Sequence, residues 1–415
     1  MASYPRVYLL LLLAVSVLAQ NNTSEPDTEM VGWVSREPKR STAEILWGCF
    51  SVFLVCSWNC VHLNLPSVNE SEAGWKKTLG GKLPYWPTFR YRRLFRRRLG
   101  WMISIFVAPE FGVAMAVQDF LAARHLEKRL RSPVFTMSHA FYACMGGFDI
   151  EIWTTDSTDS AAPGAQQQYF PVLAEADIQT QSRSDHFTKA FALLQCTWLV
   201  AQSLSRVAHG LPLTHLELST LAFIPCALAM HAFWWNKPFD AQHAIPLLCL
   251  DQSKAAIIRT SLPVRRPNTR VPELRNDASD FFDPLEFKQL SSPSVLLSLA
   301  FYVTAIAFSS VHMLAWNWES PLSLVWKVLS IIAIATPVAV FICVLIARPL
   351  LSDRSFAKIH YNHVQNGLGV CVLPLYFAYV LSRFGMFSIM IIDLQFLPAA
   401  VYRTVPWSDV FPHFS

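Results

Sequence analysis

The chain has 415 residues, of which 53% are hydrophobic and only 15% charged, and its mean hydropathy is positive. A water-soluble protein carries far more charge, while 29 Phe and 14 Trp bring too much apolar surface for disorder. With only 14 Gly and no sustained heptad, collagen-like and coiled-coil readings fall away; the net charge is a modest +5, no nucleic-acid partner is expected, and a multipass membrane protein remains.

Arg6 precedes an apolar run from Val7 to Leu18, and Val17 and Ala19 occupy the positions a signal peptidase reads. Residues 1–19 therefore read as a cleaved signal peptide, and 20–44 as a lumenal or extracellular segment. Two overlapping sequons there make Asn21 and Asn22 the expected glycosylation sites. The first span is expected at 45–63, ahead of Pro66. Residues 66–100 then hold nine Lys or Arg, which marks a cytoplasmic loop and keeps Asn69 unglycosylated.

Residues 101–118 are apolar but interrupted by Pro109 and Glu110, and basic residues flank them on both sides. This pattern predicts a re-entrant or interfacial helix, or a tight hairpin with 134–150. Further cytoplasmic loops are expected near 151–186, 237–294 and 348–366. Between them lie helical hairpins at 187–208 with 214–235 and at 295–315 with 322–347. A final pair is expected at 367–382 and 384–402, around Arg383. The fold class is all-α: a multipass transmembrane bundle of about seven or eight helices following the signal peptide. The basic loops all fall on one side of the bilayer, which places the N-terminus on the lumenal or extracellular side.

Ionisable groups at membrane depth are costly, so each is a functional candidate. Glu110 follows a helix-breaking proline; a wet pocket and a kinked helix with a snorkelling carboxylate are both open readings. His139 lies in a block that includes Met145-Gly146-Gly147, where Asp149 and Glu151 fit a helix end at the interface. Gln195, Gln202 and Arg206 recur at i, i+7 and i+11 and share a helical face, as do Glu217 and His231, fourteen residues apart. Arg206 and Glu217 flank one turn, so they fit an ion pair closing the hairpin or a polar stripe that contacts substrate.

The nine cysteines lie mostly within spans and none forms CxxC, so neither a disulfide framework nor a zinc site is expected. Walker, GxGxxG, GxSxG and HExxH motifs are absent from the sequence, and no cofactor is expected. Asp277, Asp280 and Asp283 read as a solvated acidic turn more readily than as a Mg2+ site. His360 and His363 are too few for a di-iron centre.

Gly32-Trp33-Val34-Ser35, Ile45-Leu46-Trp47, Trp58 with His62 and Asn64-Leu65-Pro66, Ala108-Pro109-Glu110, His139-Ala140-Phe141, Gly210-Leu211-Pro212, Leu216-Glu217-Leu218, the run from Phe233 to Pro238, and Trp407-Ser408 with Pro412-His413 occur together in this chain. In these motifs it resembles a large fungal family of multipass membrane proteins, over nearly its whole length from about residue 30. The resemblance implies a fungal source and an endoplasmic-reticulum or plasma-membrane address. Some relatives lie beside polyketide or polyketide-peptide biosynthetic genes, which implies a role in cyclisation or maturation of a secondary metabolite. On that reading Glu110 or Glu217 would act as acid or base, with His139 and Arg206 orienting an oxygen, and Gln195, Gln202, Arg206 and His231 would bind substrate. The partners would be the bilayer, a lipophilic small molecule and other enzymes of a pathway. A transporter or receptor for a small lipophilic molecule is the alternative.

Overall fold

The computed structural model describes residues 30–31, 40–66, 75–78, 83–130, 135–152, 175–180, 182, 186–241, 243–249, 293–352 and 354–405. The signal peptide, Asn21, Asn22, Asn69 and the Asp277–Asp283 run lie outside them, as do the side chains of Asp149, Glu151, His360 and His363.

Helix α1 spans Thr42–Cys60, and its first turn is capped by Ser41, whose side chain accepts from the Glu44 amide. The basic segment that follows pairs Trp75–Thr78 (β1) with Leu83–Pro87 (β2). It then enters α2, Phe89–Val107, capped by Thr88. Helix α3, Pro109–Leu130, starts directly after Ala108. Proline has no amide hydrogen to donate, so it fits the first turn of a new helix better than the interior of an old one. The chain accordingly turns by 113° between α2 and α3. The sequence expectation of a broken element here, in place of a simple crossing, matches this geometry.

Three short elements follow: α4 (Met137–Cys144), β3 (Phe148–Ile152) and α5 (Glu175–Thr180). Helices α6 (His186–Ala208) and α7 (His215–Phe233) form the expected hairpin. Strand β4, Ile245–Cys249, pairs in parallel with β3 and joins two loops at that end of the bundle. Helix α8 (Pro293–His312) and α9 (Ser323–Ser352) form the next hairpin. The last helix, α10, runs unbroken from Arg354 to Asp393. The expected division around Arg383 does not occur, because that side chain is absorbed by the bundle. Its Nε donates to the Val107 carbonyl at 3.3 Å, and its guanidinium lies 4.0 Å from the Phe308 ring centre.

Five helical stretches are long and apolar enough to cross a bilayer among the described residues: Thr42–Cys60, His215–Phe233, Leu296–Ala315, Ser323–Cys343 and Val370–Asp393; the bent α2–α3 pair makes a sixth if taken as one span. The protein is a multipass helical membrane protein. Seven or eight helices were expected; α6 does not reach the apolarity of these five, and the last pair is one helix.

Residues Ala192, Cys196, Leu199, Ser203 and Arg206 form the buried stripe of α6, at helical spacing, whereas Leu194 and Trp198 point outward. Outward apolar residues such as Ile331 on α9 and Leu373 and Phe377 on α10 complete a surface suited to acyl chains. Inside, close packing takes the place of a hydrophobic driving force between helices. A Cβ on Gly112 would sit 2.3 Å from the Met230 sulfur, and one on Gly385 2.8 Å from Leu329.

Candidate functional site

The buried polar groups separate into three zones. At one end of the bundle the chain before α1, the α6–α7 turn and the residues after α10 converge. The Arg40 amide bonds the Tyr402 carbonyl at 2.9 Å, and its guanidinium pairs with the Glu217 carboxylate. The second Glu217 oxygen accepts from the Thr214 amide (2.9 Å) and hydroxyl (3.0 Å), and the Thr214 hydroxyl accepts from the Glu217 amide, which completes a capping box on α7.

The expected Arg206–Glu217 ion pair does not form, because Arg40 occupies that position. Arg206 instead donates to three carbonyls, those of Val401 (2.8 Å), Arg403 (2.9 Å) and Pro212 (3.0 Å). It acts as a staple between the C-terminal segment and the hairpin turn. Beside it the His215 ring nitrogen is 3.0 Å from an Asp393 oxygen, and the Ser320 hydroxyl donates to the other oxygen at 2.7 Å. His215 also stacks against Trp326, with centres 4.3 Å apart.

The opposite end is organised by Asp119 on α3, which accepts from Lys237 (2.6 Å) and from the Trp234 indole (3.0 Å). Trp234 and Lys237 are buried in this arrangement, whereas Trp235, which the sequence places with them in an interfacial belt at the end of α7, is exposed. The Arg98 guanidinium lies 4.0 Å from the Trp58 ring centre and 4.5 Å from that of Phe239. His62 is enclosed between Trp234 and Phe239, and its Nδ1 meets the Cys60 carbonyl at 3.0 Å.

His139 caps its own short helix, with Nδ1 2.9 Å from the Thr136 hydroxyl and accepting from the Thr136 amide at 3.3 Å. The neighbouring Tyr142 hydroxyl donates to the His243 carbonyl at 2.6 Å. Burial raises its pKa, because the phenolate would lose its hydration. The Gly146-Gly147 pair serves this packing: Gly146 has φ 81°, and a Cβ on Gly147 would lie 2.4 Å from the Tyr142 ring.

The third zone lies inside the bundle at the α2–α3 break. Glu110 is fully buried in the first turn of α3. One of its oxygens accepts from the Tyr379 hydroxyl at 2.7 Å; the other is buried without a hydrogen-bond partner. Arg383 stands one helical turn beyond Tyr379 on α10, with its guanidinium 5.7 Å from the Tyr379 ring centre. Its charge acts on Glu110 without forming an ion pair. Further along α8, His312 bonds the Ser219 hydroxyl at 2.6 Å and the Phe308 carbonyl at 2.9 Å.

The residues singled out in the sequence are therefore dispersed. Glu217 and Arg206 share the first zone, Glu110 the interior and His139 the opposite loops. Glu217 and His231 lie on one face of α7, about 21 Å apart along the axis at 1.5 Å per residue. Gln195 and Gln202 are half-buried on α6, and the Gln195 side-chain oxygen has no hydrogen-bond partner. Arg40, Asp119, His215, His312, Tyr379 and Asp393 were not singled out. A charge opposite a helix break or a cap is visible in one-dimensional sequence only as an isolated polar letter. Among the described residues no group of three or more His, Cys, Asp or Glu side chains is arranged to hold a metal ion.

No curated protein and no solved structure matches the chain. A family of unknown function, DUF8562, matches residues 11–136 and 127–259. These matches cover more than half of the sequence and include α1, the α2–α3 break with Glu110, and the α6–α7 hairpin, and the chain belongs to that family.

Proposed function

We propose that this protein is a membrane-embedded component of fungal secondary-metabolite biosynthesis that binds a lipophilic intermediate and assists its cyclisation or maturation. The observation that carries the proposal is Glu110: a fully buried carboxyl at a helix break, bonded through one oxygen to Tyr379 and unpartnered at the other. Such a group is costly inside a bundle, and a chemical role accounts for that cost. Its free oxygen gives or takes a proton, Tyr379 fixes the carboxyl plane, and Arg383 supplies nearby positive charge. Folding an apolar chain into a reactive conformer is otherwise a matter of positioning. Glu217 drops out of the acid-base assignment, since Arg40 and Thr214 engage both its oxygens, and His139 drops out as a helix cap.

On this reading the protein sits in the endoplasmic-reticulum or plasma membrane, its glycosylated N-terminus lumenal or extracellular, and works beside other enzymes of the pathway. In a reconstituted pathway Glu110→Gln is expected to abolish product formation and accumulate the uncyclised precursor. Unchanged product formation would remove the acid-base role. The 113° break favours a second reading, transport of a small lipophilic molecule, because discontinuous helices serve such sites. A deletion strain separates the two: accumulated precursor supports biosynthesis, and finished product retained inside the cell supports transport.

A further inference from the structure

The interior holds a chemical pair that this reading does not use. Cys56 on α1 and Cys196 on α6 face each other with sulfurs 3.1 Å apart, although 140 residues separate them in sequence. Both are buried, at 1% and 4% exposure. Two other thiols lie close by but are turned to backbone: Cys60 donates to the Ala227 carbonyl at 3.7 Å and Cys226 to that of Ala222 at 3.8 Å. Cys56 and Cys196 by contrast meet sulfur to sulfur, which suits the pair to a bond with itself.

We propose that Cys56 and Cys196 are a redox-active dithiol, a modification site that closes to a disulfide between α1 and α6 when a peroxide reaches the bundle. A disulfide bond is about 2.0 Å long, so the sulfurs need to approach by about 1 Å. Both helices are long and carry the cysteines in their interiors, where a small rotation of each side chain suffices. Hydrogen peroxide is small and uncharged, so it enters where charged thiols and bulky oxidants do not.

One cysteine sulfur attacks a peroxide oxygen; the O–O bond breaks, water leaves and a sulfenic acid forms. The second sulfur then attacks the sulfenic sulfur; the S–O bond breaks and a second water leaves. Two thiols and one peroxide thus give one disulfide and two waters, with the two sulfur electrons reducing the peroxide. The product ties α1, which follows Arg40, to α6, which carries Arg206. The link fixes α1 against α6 at a level 16 residues from Arg40 and ten from Arg206.

The test uses the full chain in lipid nanodiscs, treated with hydrogen peroxide or with dithiothreitol. Free thiols are then alkylated in denaturant, and the digest is read by mass spectrometry. The expected result is a peptide pair linked through Cys56 and Cys196 that appears with peroxide, vanishes with dithiothreitol, and is lost in both Cys56→Ser and Cys196→Ser. Full alkylation of both cysteines after peroxide, or a link from either to a different cysteine, overturns the proposal. Because the readout is made on the unmodified chain, misfolding of a serine variant leaves the test intact, and neither result depends on Glu110 or on any biosynthetic activity.

Discussion

Arg40 and Glu217 illustrate what a buried charge demands. Both side chains are buried, so the Arg40 guanidinium depends on Glu217, and the Glu217 carboxylate on Arg40 and Thr214. Removing one partner leaves an uncompensated charge and costs about 3–5 kcal/mol. Arg40→Ala and Glu217→Ala are each expected to lower the thermal unfolding midpoint in detergent strongly. The double variant is expected to be less destabilised than the sum of the two, and additivity would show that the pair is not coupled. Tyr379→Phe asks the same question at Glu110. Losing the hydroxyl strands a second carboxylate oxygen, at a cost of about 1–3 kcal/mol, and the same melting experiment reads it.

At the scale of elements, the glycines discriminate between close contacts that yield and contacts that do not. Gly112 meets the end of the flexible Met230 side chain, whereas Gly147 meets the rigid Tyr142 ring, which is itself tethered to the His243 carbonyl. Gly147→Ala is therefore expected to cost about 1–3 kcal/mol through overpacking, and Gly112→Ala clearly less. Equal melting shifts for the two variants would contradict this account. The α2–α3 break belongs to this scale too. Pro109 begins α3, and Arg383 donates to the Val107 carbonyl beside the break, so the turn is held by both a local and a distant residue.

For the whole molecule, the continuity of α10 has the largest consequence. It carries the C-terminal segment back to the end that holds Arg40, where Val401 and Arg403 receive Arg206. Residues 40–41, the α6–α7 turn, the α8–α9 turn and residues 397–405 then share one end of the bundle, and the β3–β4 ladder lies at the other. Single cysteines placed at Asn317, His209 and Arg403 in a cysteine-reduced variant are expected to react with an impermeant maleimide from the same side. A cysteine at Asp240 is expected to react only from the opposite side. Labelling of Arg403 and His209 from different sides would require the divided final helix that the sequence suggested.

The class, the approximate positions of the spans, the α6–α7 and α8–α9 hairpins and the break at Pro109-Glu110 are legible in the order of residues alone. These depend on local quantities: the length of an apolar run and the missing amide of proline. The sequence also singles out Glu110, because a carboxyl within an apolar run is conspicuous without any neighbour being known. How each polar group is satisfied depends instead on which helices pack together. Arg383 reads as a loop residue until Val107 and Phe308 come to meet it. Arg206 reads as the partner of Glu217 until Arg40, 177 residues away from Glu217, takes that place. Cys56 and Cys196 show no spacing relation at all. Pairings across such separations arise where helices pack, and in the bundle interior they decide which polar groups are satisfied and which, like one oxygen of Glu110, are left without a hydrogen-bond partner.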